Sequence, residues 1–283
     1  MKQVGYYNGA IGELSEMTVP MSDRAVYFGD GVYDAAMVVN RIPFDFEDHI
    51  DRFYSSLRLL EIANFGMERD ELRSELLKCL DYSDSENAML YWQADRGTFP
   101  RRHNYPPEDV KANLLITVTP KQIPDTEKLV KLVTVDDVRF RLCNIKTLNL
   151  IPNVMANQHA SAGGYDEAVF VRDGIVTEGS HTNVSIIEGG KVITHPLDSG
   201  ILPGITRKRM ITVAEQSGIP VIERKFTVEE MLDADEVFIS GSTSFLKCAS
   251  SIDGKPVGGK ARGVFETLRT GFLNEVALQC GDM

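Results

Sequence analysis

Apolar positions recur at helical spacing in some stretches and run together at strand length in others, so the chain reads as a mixture of helices and strands. Over residues 48–64, Ile50, Phe53, Tyr54, Leu57 and Leu60 fall on one helical face, and residues 69–81 repeat the pattern with Leu72, Leu76, Leu77 and Leu80. Residues 88–94 and 113–119 are short apolar runs that predict strands. The polar stretch 120–128 carries Pro120 and Pro124 and no apolar period, which predicts a linker between a first domain, 1–119, and a second, 129–283. In the second, strands are expected over 129–135 and 138–143, and a helix over 153–162 stopped by Gly163-Gly164. Two hairpins follow, 168–171 with 175–178 around Arg172-Asp173-Gly174, and 183–187 with 192–195. Gly204 precedes a helix over 205–217, Thr227 and Glu230 form a capping-box pattern, and 236–240 is an apolar strand. Phe265, Leu268, Phe272 and Val276 mark a last helix over 261–279.

Composition narrows the function. Hydrophobic residues make up 43% and charged residues 25%, as in a soluble globular protein. The 30 Lys+Arg against 41 Asp+Glu leave a net charge of −11, which argues against nucleic acid as a partner because phosphate contacts require a basic face. It leaves room for a small anion held by a few local cations. No run approaches the roughly 20 apolar residues of a membrane helix, and the start has no signal-like apolar core. The four cysteines are isolated, with no CxxC pair, which fits a reduced, cytoplasmic protein. Dinucleotide and phosphate-loop glycine motifs, a GxSxG elbow and paired metal-ligating histidines are all missing, so no metal is expected.

Lysine chemistry is left. Lys146 lies in the uncharged run LCNIKTLNL, residues 142–150. Lost solvation there would favour the free amine, able to form a Schiff base with a carbonyl, whereas a surface lysine at a strand end is the plain alternative. Glu178 ends a hairpin strand before a glycine, either facing water or facing a pyridine nitrogen. Gly204-Ile205-Thr206-Arg207 opens a helix whose N–H groups suit a phosphate, unless Thr206 merely caps it. Gly241-Ser242-Thr243-Ser244 could add hydroxyls or form a simple turn. Arg52 sits beside the apolar stripe of its helix, where it could grip a phosphate or pair with Asp48 or Asp51. Arg101, Arg102 and His103 concentrate positive charge in a Pro-flanked loop, a trap for a carboxylate or a solvated loop.

Taken in order, these segments resemble the pyridoxal-phosphate enzymes of fold type IV, the class IV aminotransferase family. The likeness runs through DRAVYFGDGVY (23–33), HIDR (49–52), RGTFPRRH (96–103), NIKTLNL (144–150), TEGSHTN (177–183), GITR (204–207) and 240–244, and so spans most of the chain. The resemblance implies a two-domain α/β fold with pyridoxal 5'-phosphate in the cleft between the domains. It implies Lys146 as the lysine that binds the cofactor and moves the proton, and Glu178 at the pyridine nitrogen. Arg52, Ile205, Thr206 and Ser242 would hold the phosphate. The D-amino acid aminotransferases are the most similar group, in which Arg101, His103 and Tyr33 would grip the substrate α-carboxylate. The Arg-x-His loop of that group reaches across from the neighbouring subunit, which implies a homodimer acting on small amino and 2-oxo acids. A branched-chain L-amino acid aminotransferase and an aminodeoxychorismate lyase are the alternatives. Thr147 where many relatives have Ser, Asp34 in place of the more usual Glu, and Gly241 depart from the family pattern.

Overall fold

A computed structural model of the chain describes residues 2–282, which form two mixed α/β units. The first comprises residues up to 123 together with 145–149 and the C-terminal end from 278; the second holds 124–144 and 150–277.

The first unit is built from β1 (Val4–Tyr7), β2 (Ala10–Glu13), α1 (Arg24–Phe28), β3 (Gly31–Val39), β4 (Ile42–Pro43), α2 (Phe46–Leu59), α3 (Arg69–Ser83), β5 (Ala88–Asp95) and β6 (Asn113–Pro120). Its antiparallel sheet runs β2-β1-β6-β5-β3-β4. Alternation sorts the faces: Leu90 and Trp92 of β5 and Ile116 and Val118 of β6 point into a core completed by Phe53 and Leu57 of α2 and Leu72, Leu76 and Leu80 of α3. Tyr33, Tyr91 and Gln93 are only half-buried on the opposite face. Helix α2 ends at Leu59, short of the expected residue 64, because Glu61 turns left-handed (φ 57°) and Ile62 folds back, its N–H donating to Leu57 O at 2.9 Å.

Residues 145–149 were expected in the second domain, yet their backbone bonds to β3. Tyr33 N donates to Lys146 O at 2.8 Å and Leu148 N to Gly31 O at 3.0 Å, while Ile145 enters the first core. Such pairing joins residues more than a hundred positions apart, which local pattern cannot reveal.

The second unit contains β7 (Val130–Asp136), α4 (Ile151–Ala162), β8 (Glu167–Arg172), β9 (Ile175–Gly179), β10 (Asn183–Glu188), β11 (Lys191–Thr194), α5 (Ile205–Gln216), β12 (Val221–Glu223), α6 (Val228–Asp233), β13 (Glu236–Gly241), β14 (Phe245–Ile252), β15 (Lys255–Pro256) and α7 (Arg262–Cys280). Its sheet runs β12-β11-β10-β13-β14-β7-β8-β9, with β15 on β14. Val184, Ile186, Val237 and Ile239 face a core with Phe226 and Met231. On the other face Phe238 meets Phe265 and Phe245 meets Phe272 of α7, at 5.6 and 5.3 Å between ring centroids. The β8–β9 turn places Asp173 and Gly174 at φ 53° and 78°, the left-handed pair a two-residue hairpin requires. Residues 138–143 form no strand, against expectation. Val138 is 73% exposed, and Arg139 folds back onto Asp137, so the alternating apolar residues there face out of the core. Among the described residues, no helix is long and apolar enough to cross a membrane, and no group of His, Cys, Asp and Glu could hold a metal ion.

Candidate active site

The first unit carries Tyr33, Arg52, Arg101, His103 and Lys146. Lys146 is held by its backbone on two sides: Tyr33 donates to its carbonyl, and its own N–H donates to Ser56 Oγ at 3.2 Å. Its half-buried side chain places Nζ 4.3 Å from the centroid of the Tyr33 ring, which itself stacks on Tyr91 at 5.4 Å. Ser56 stands one turn after Arg52 on the buried face of α2. Arg52 reaches Asp34: its Nε and Nη2 donate to Oδ2 and Oδ1 of Asp34 at 2.8 and 2.6 Å, and His49 Nδ1 lies 2.7 Å from Oδ1. Asp34 is fully buried. Burial would raise its carboxyl, but the Arg52 guanidinium and the His49 bond hold it well below the usual carboxylate range. Burial pushes the His49 imidazole down, against the pull of Asp34.

Arg101 and His103 lie on the coil between β5 and β6. Both side chains are exposed and both rest near the Phe28 ring. Among the described residues, no hydrogen bond or ring contact joins them to Tyr33.

The second unit carries Glu178, Ile205, Thr206 and Ser242. Glu178 does not face water. It is buried at the end of β9, where Oε2 accepts from Leu202 N at 2.9 Å and Asn183 Nδ2 at 3.1 Å, and Oε1 accepts from Arg139 Nη1. Arg139 also donates to both oxygens of Asp137, at 2.9 and 3.0 Å, and lies over the Phe170 ring at 4.2 Å. Burial opposes the Arg139 charge, but Asp137 and Glu178 outweigh it and hold the guanidinium above its ordinary range. Three donors thus converge on the Glu178 carboxyl.

Ile205 and Thr206 form the first turn of α5. Gly204 is the N-cap and brings no side-chain cap, so Thr206 does not perform the capping that was its plain alternative. The first-turn N–H groups therefore have no side-chain cap, and the helix dipole behind them favours negative charge there. Asn183 packs against Gly204, and its Nδ2, besides Glu178, holds Leu202 O at 3.0 Å. Asn183 also pairs with Ser240 across the sheet, at the end that leads into the Gly241–Ser244 turn. Ser242 is half-buried in that turn, closed by Ser244 N to Gly241 O at 3.1 Å. Asn183 thus joins the acid, the helix start and the turn within one unit.

Three contributors escaped the sequence reading of the site: Asp34, Arg139 and Asn183. Asn183 lay within the quoted TEGSHTN segment, whereas Arg139 sat in an apolar alternation that masked it. By chemistry, the second unit's buried carboxyl Glu178 and its helix start with a hydroxyl are of the kind that suits a pyridine nitrogen and a phosphate, and Lys146 of the first unit is an amine of the kind that suits an aldehyde.

Comparison with known proteins bears on this chemistry. Residues 31–252 match the sequence profile of the family Amino-transferase class IV. The D-alanine aminotransferase of Bacillus licheniformis is 38% identical over 282 residues, covering 96% of this chain and 98% of that one. The D-alanine aminotransferase of Listeria monocytogenes is 35% identical, covering 98% and 97%. Among solved structures, the branched-chain aminotransferase of the thermophilic archaeon Thermoproteus uzoniensis with norvaline superposes with a TM-score of 0.87 at 24% identity, covering 100% of this chain and 97% of that chain; this likeness is one of fold.

Proposed function

The chain belongs to the class IV aminotransferases, which are pyridoxal-phosphate enzymes, and from that membership we propose that it moves an amino group between a D-amino acid, such as D-alanine or D-glutamate, and a 2-oxo acid by ping-pong transfer. The observation that carries this reading is Arg101 with His103 two residues on. These are cation-bearing side chains without an acidic partner among the described residues, in a chain that matches D-alanine aminotransferases along nearly its whole length.

Bound pyridoxal phosphate supplies an electron sink for the charge left when the substrate loses its α-proton. The protein's own groups do the rest. Lys146 Nζ would hold the cofactor and, as a free amine, would take the substrate α-proton and give it back at the carbon that keeps the amino group. Glu178, bonded by Arg139, Asn183 and Leu202, would face the ring nitrogen and favour its protonated form. Ile205 N–H, the Thr206 and Ser242 hydroxyls and Arg52 bind the phosphate, with Asp34 orienting the Arg52 fork. Arg101, His103 and Tyr33 receive the α-carboxylate. In this reading the enzyme is a cytoplasmic homodimer whose Arg101–His103 loop serves the neighbouring subunit's substrate.

The visible absorbance of the purified holoenzyme tests the proposal. D-alanine should convert the cofactor to its amine form and bleach the band, while L-leucine should not. Bleaching with L-leucine alone would move the substrate to the branched-chain L-amino acids and keep the cofactor roles. A protein that takes up no pyridoxal phosphate would end the reading. Replacing Lys146 with Ala should abolish turnover with the melting temperature retained; residual wild-type turnover would remove Lys146 from its role.

A further inference from the structure

Phe28 closes α1, and its ring meets three side chains that carry or can carry positive charge. The Arg24 and Arg101 guanidinium carbons lie 5.0 and 5.1 Å from its centroid, and the His103 ring lies 5.4 Å away, tilted by 47°. Arg24 is buried and committed elsewhere. Its Nε donates to Asp30 at 2.7 Å, and its Nη1 donates to the carbonyls of Arg102 at 2.8 Å and Asn104 at 3.3 Å, which flank His103. Asp30 is also engaged by Arg96 Nε at 3.1 Å, and Arg96 in turn donates to Glu61 O and Leu60 O at 2.6 and 2.8 Å, fixing the start of the loop. The nearby acid is therefore shared by two buried arginines. Among the described residues, no carboxylate pairs with Arg101 or His103.

An aromatic ring attracts a cation without neutralising it, since its face carries partial negative charge and no formal charge. We infer that Phe28 is a positioning residue, which holds Arg101 and His103 at fixed spacing while leaving their charge for the carboxylate of the amino acid. This inference rests on the proposed role of that pair. A long arginine side chain loses rotamer freedom when it is captured, and seating it on Phe28 beforehand removes that cost from substrate binding. The α-carboxylate is common to the amino donor and the 2-oxo acceptor, so both should feel the ring equally.

Kinetics of the holoenzyme with D-alanine and 2-oxoglutarate test this in the wild type, Arg101→Ala, Phe28→Leu and Phe28→Tyr. Phe28→Leu should raise KM for both substrates about two- to fivefold, the size of one exposed cation–π contact, with kcat and the cofactor absorbance retained. Phe28→Tyr, which keeps the ring, should restore both KM values. A rise in KM for Arg101→Ala with none for Phe28→Leu would overturn the inference and leave the carboxylate grip standing. Equal damage by Phe28→Leu and Phe28→Tyr would also overturn it. An unchanged KM in Arg101→Ala would remove the grip itself, and the inference with it.

Discussion

Arg139 shows how much one side chain can decide at the residue scale. It bridges two buried carboxylates, Asp137 and Glu178, and the same guanidinium donates to Gly200 O at 3.2 Å. Removing it takes the guanidinium from buried Glu178 and leaves Asp137 with Arg172 at 3.0 Å, a larger cost than losing a surface ion pair. Arg139→Gln should therefore cost about 3–5 kcal/mol of stability by denaturant titration, the range for breaking a buried pair. If Glu178 faces the ring nitrogen as proposed, activity should fall as well, because the carboxyl loses the cation that fixes it. The contrast is Arg69, whose pairs with Asp51 and Glu47 lie at the surface. Arg69→Ala should change stability by less than about 1 kcal/mol. Comparable losses for the two variants would refute the ranking.

At the scale of elements, the periodic parts of the chain were legible in advance and the non-local parts were not. Helix α3, the β8–β9 hairpin and the Thr227–Glu230 capping box, whose two reciprocal bonds measure 3.1 and 2.8 Å, all follow from residues within a few positions of one another. Strand β3 was passed over: Tyr33 and Asp34 interrupt its apolar run, and they do so because one meets Lys146 and the other Arg52. The candidate site residues could be picked out by chemistry alone, but Asp34, Arg139 and Asn183, which bond to Arg52 and Glu178, gain meaning only from partners that the fold brings near. Helix α5 shows the same limit. Gly204 reads as a helix signal, yet its smallness is required by Asn183, since a Cβ there would run into Asn183 Oδ1. Asn183 could yield only by loosening its bonds to Glu178 and Leu202. Gly204→Ala should thus lower pyridoxal-phosphate affinity by about tenfold, equivalent to one hydrogen bond to a charged group, although alanine ordinarily favours helices. Cofactor titration of the apoprotein would read this; an unchanged affinity would show that Asn183 moves freely.

For the molecule as a whole, stability between pH 5 and 8 is set by buried groups that pull in opposite directions. Burial lowers the pKa of His49 and of His195, so the folded state resists protonating them, and stability is lost as pH falls below their ordinary value of 6.5. Asp95 acts the other way. It lies buried beside Asp23, with Asn113 Nδ2 donating to both carboxyls at 3.0 and 3.1 Å. Burial, and then the Asp23 charge, raise Asp95 to about 7 from 3.8. The folded protein therefore carries a proton that the unfolded chain has already released. The stability this proton confers is complete below pH 3.8 and disappears as pH rises through about 7. The lowered carboxyls Asp34 and Asp137 titrate below this window and do not enter it. Asp95→Asn replaces the shared proton with an amide N–H that can still face Asp23, and its carbonyl can keep accepting from Gly97 N. The histidine contributions are common to both proteins and cancel in the difference. The variant should accordingly gain on the wild type as pH rises from 5 to 8, by at most about 1.4 kcal/mol per pH unit, the limit for one proton. Urea unfolding of both proteins at pH 5, 6.5 and 8 measures it. A difference independent of pH would mean that Asp95 is ionised throughout, and that Asp23 and Asp95 face each other as two charges held apart by Asn113.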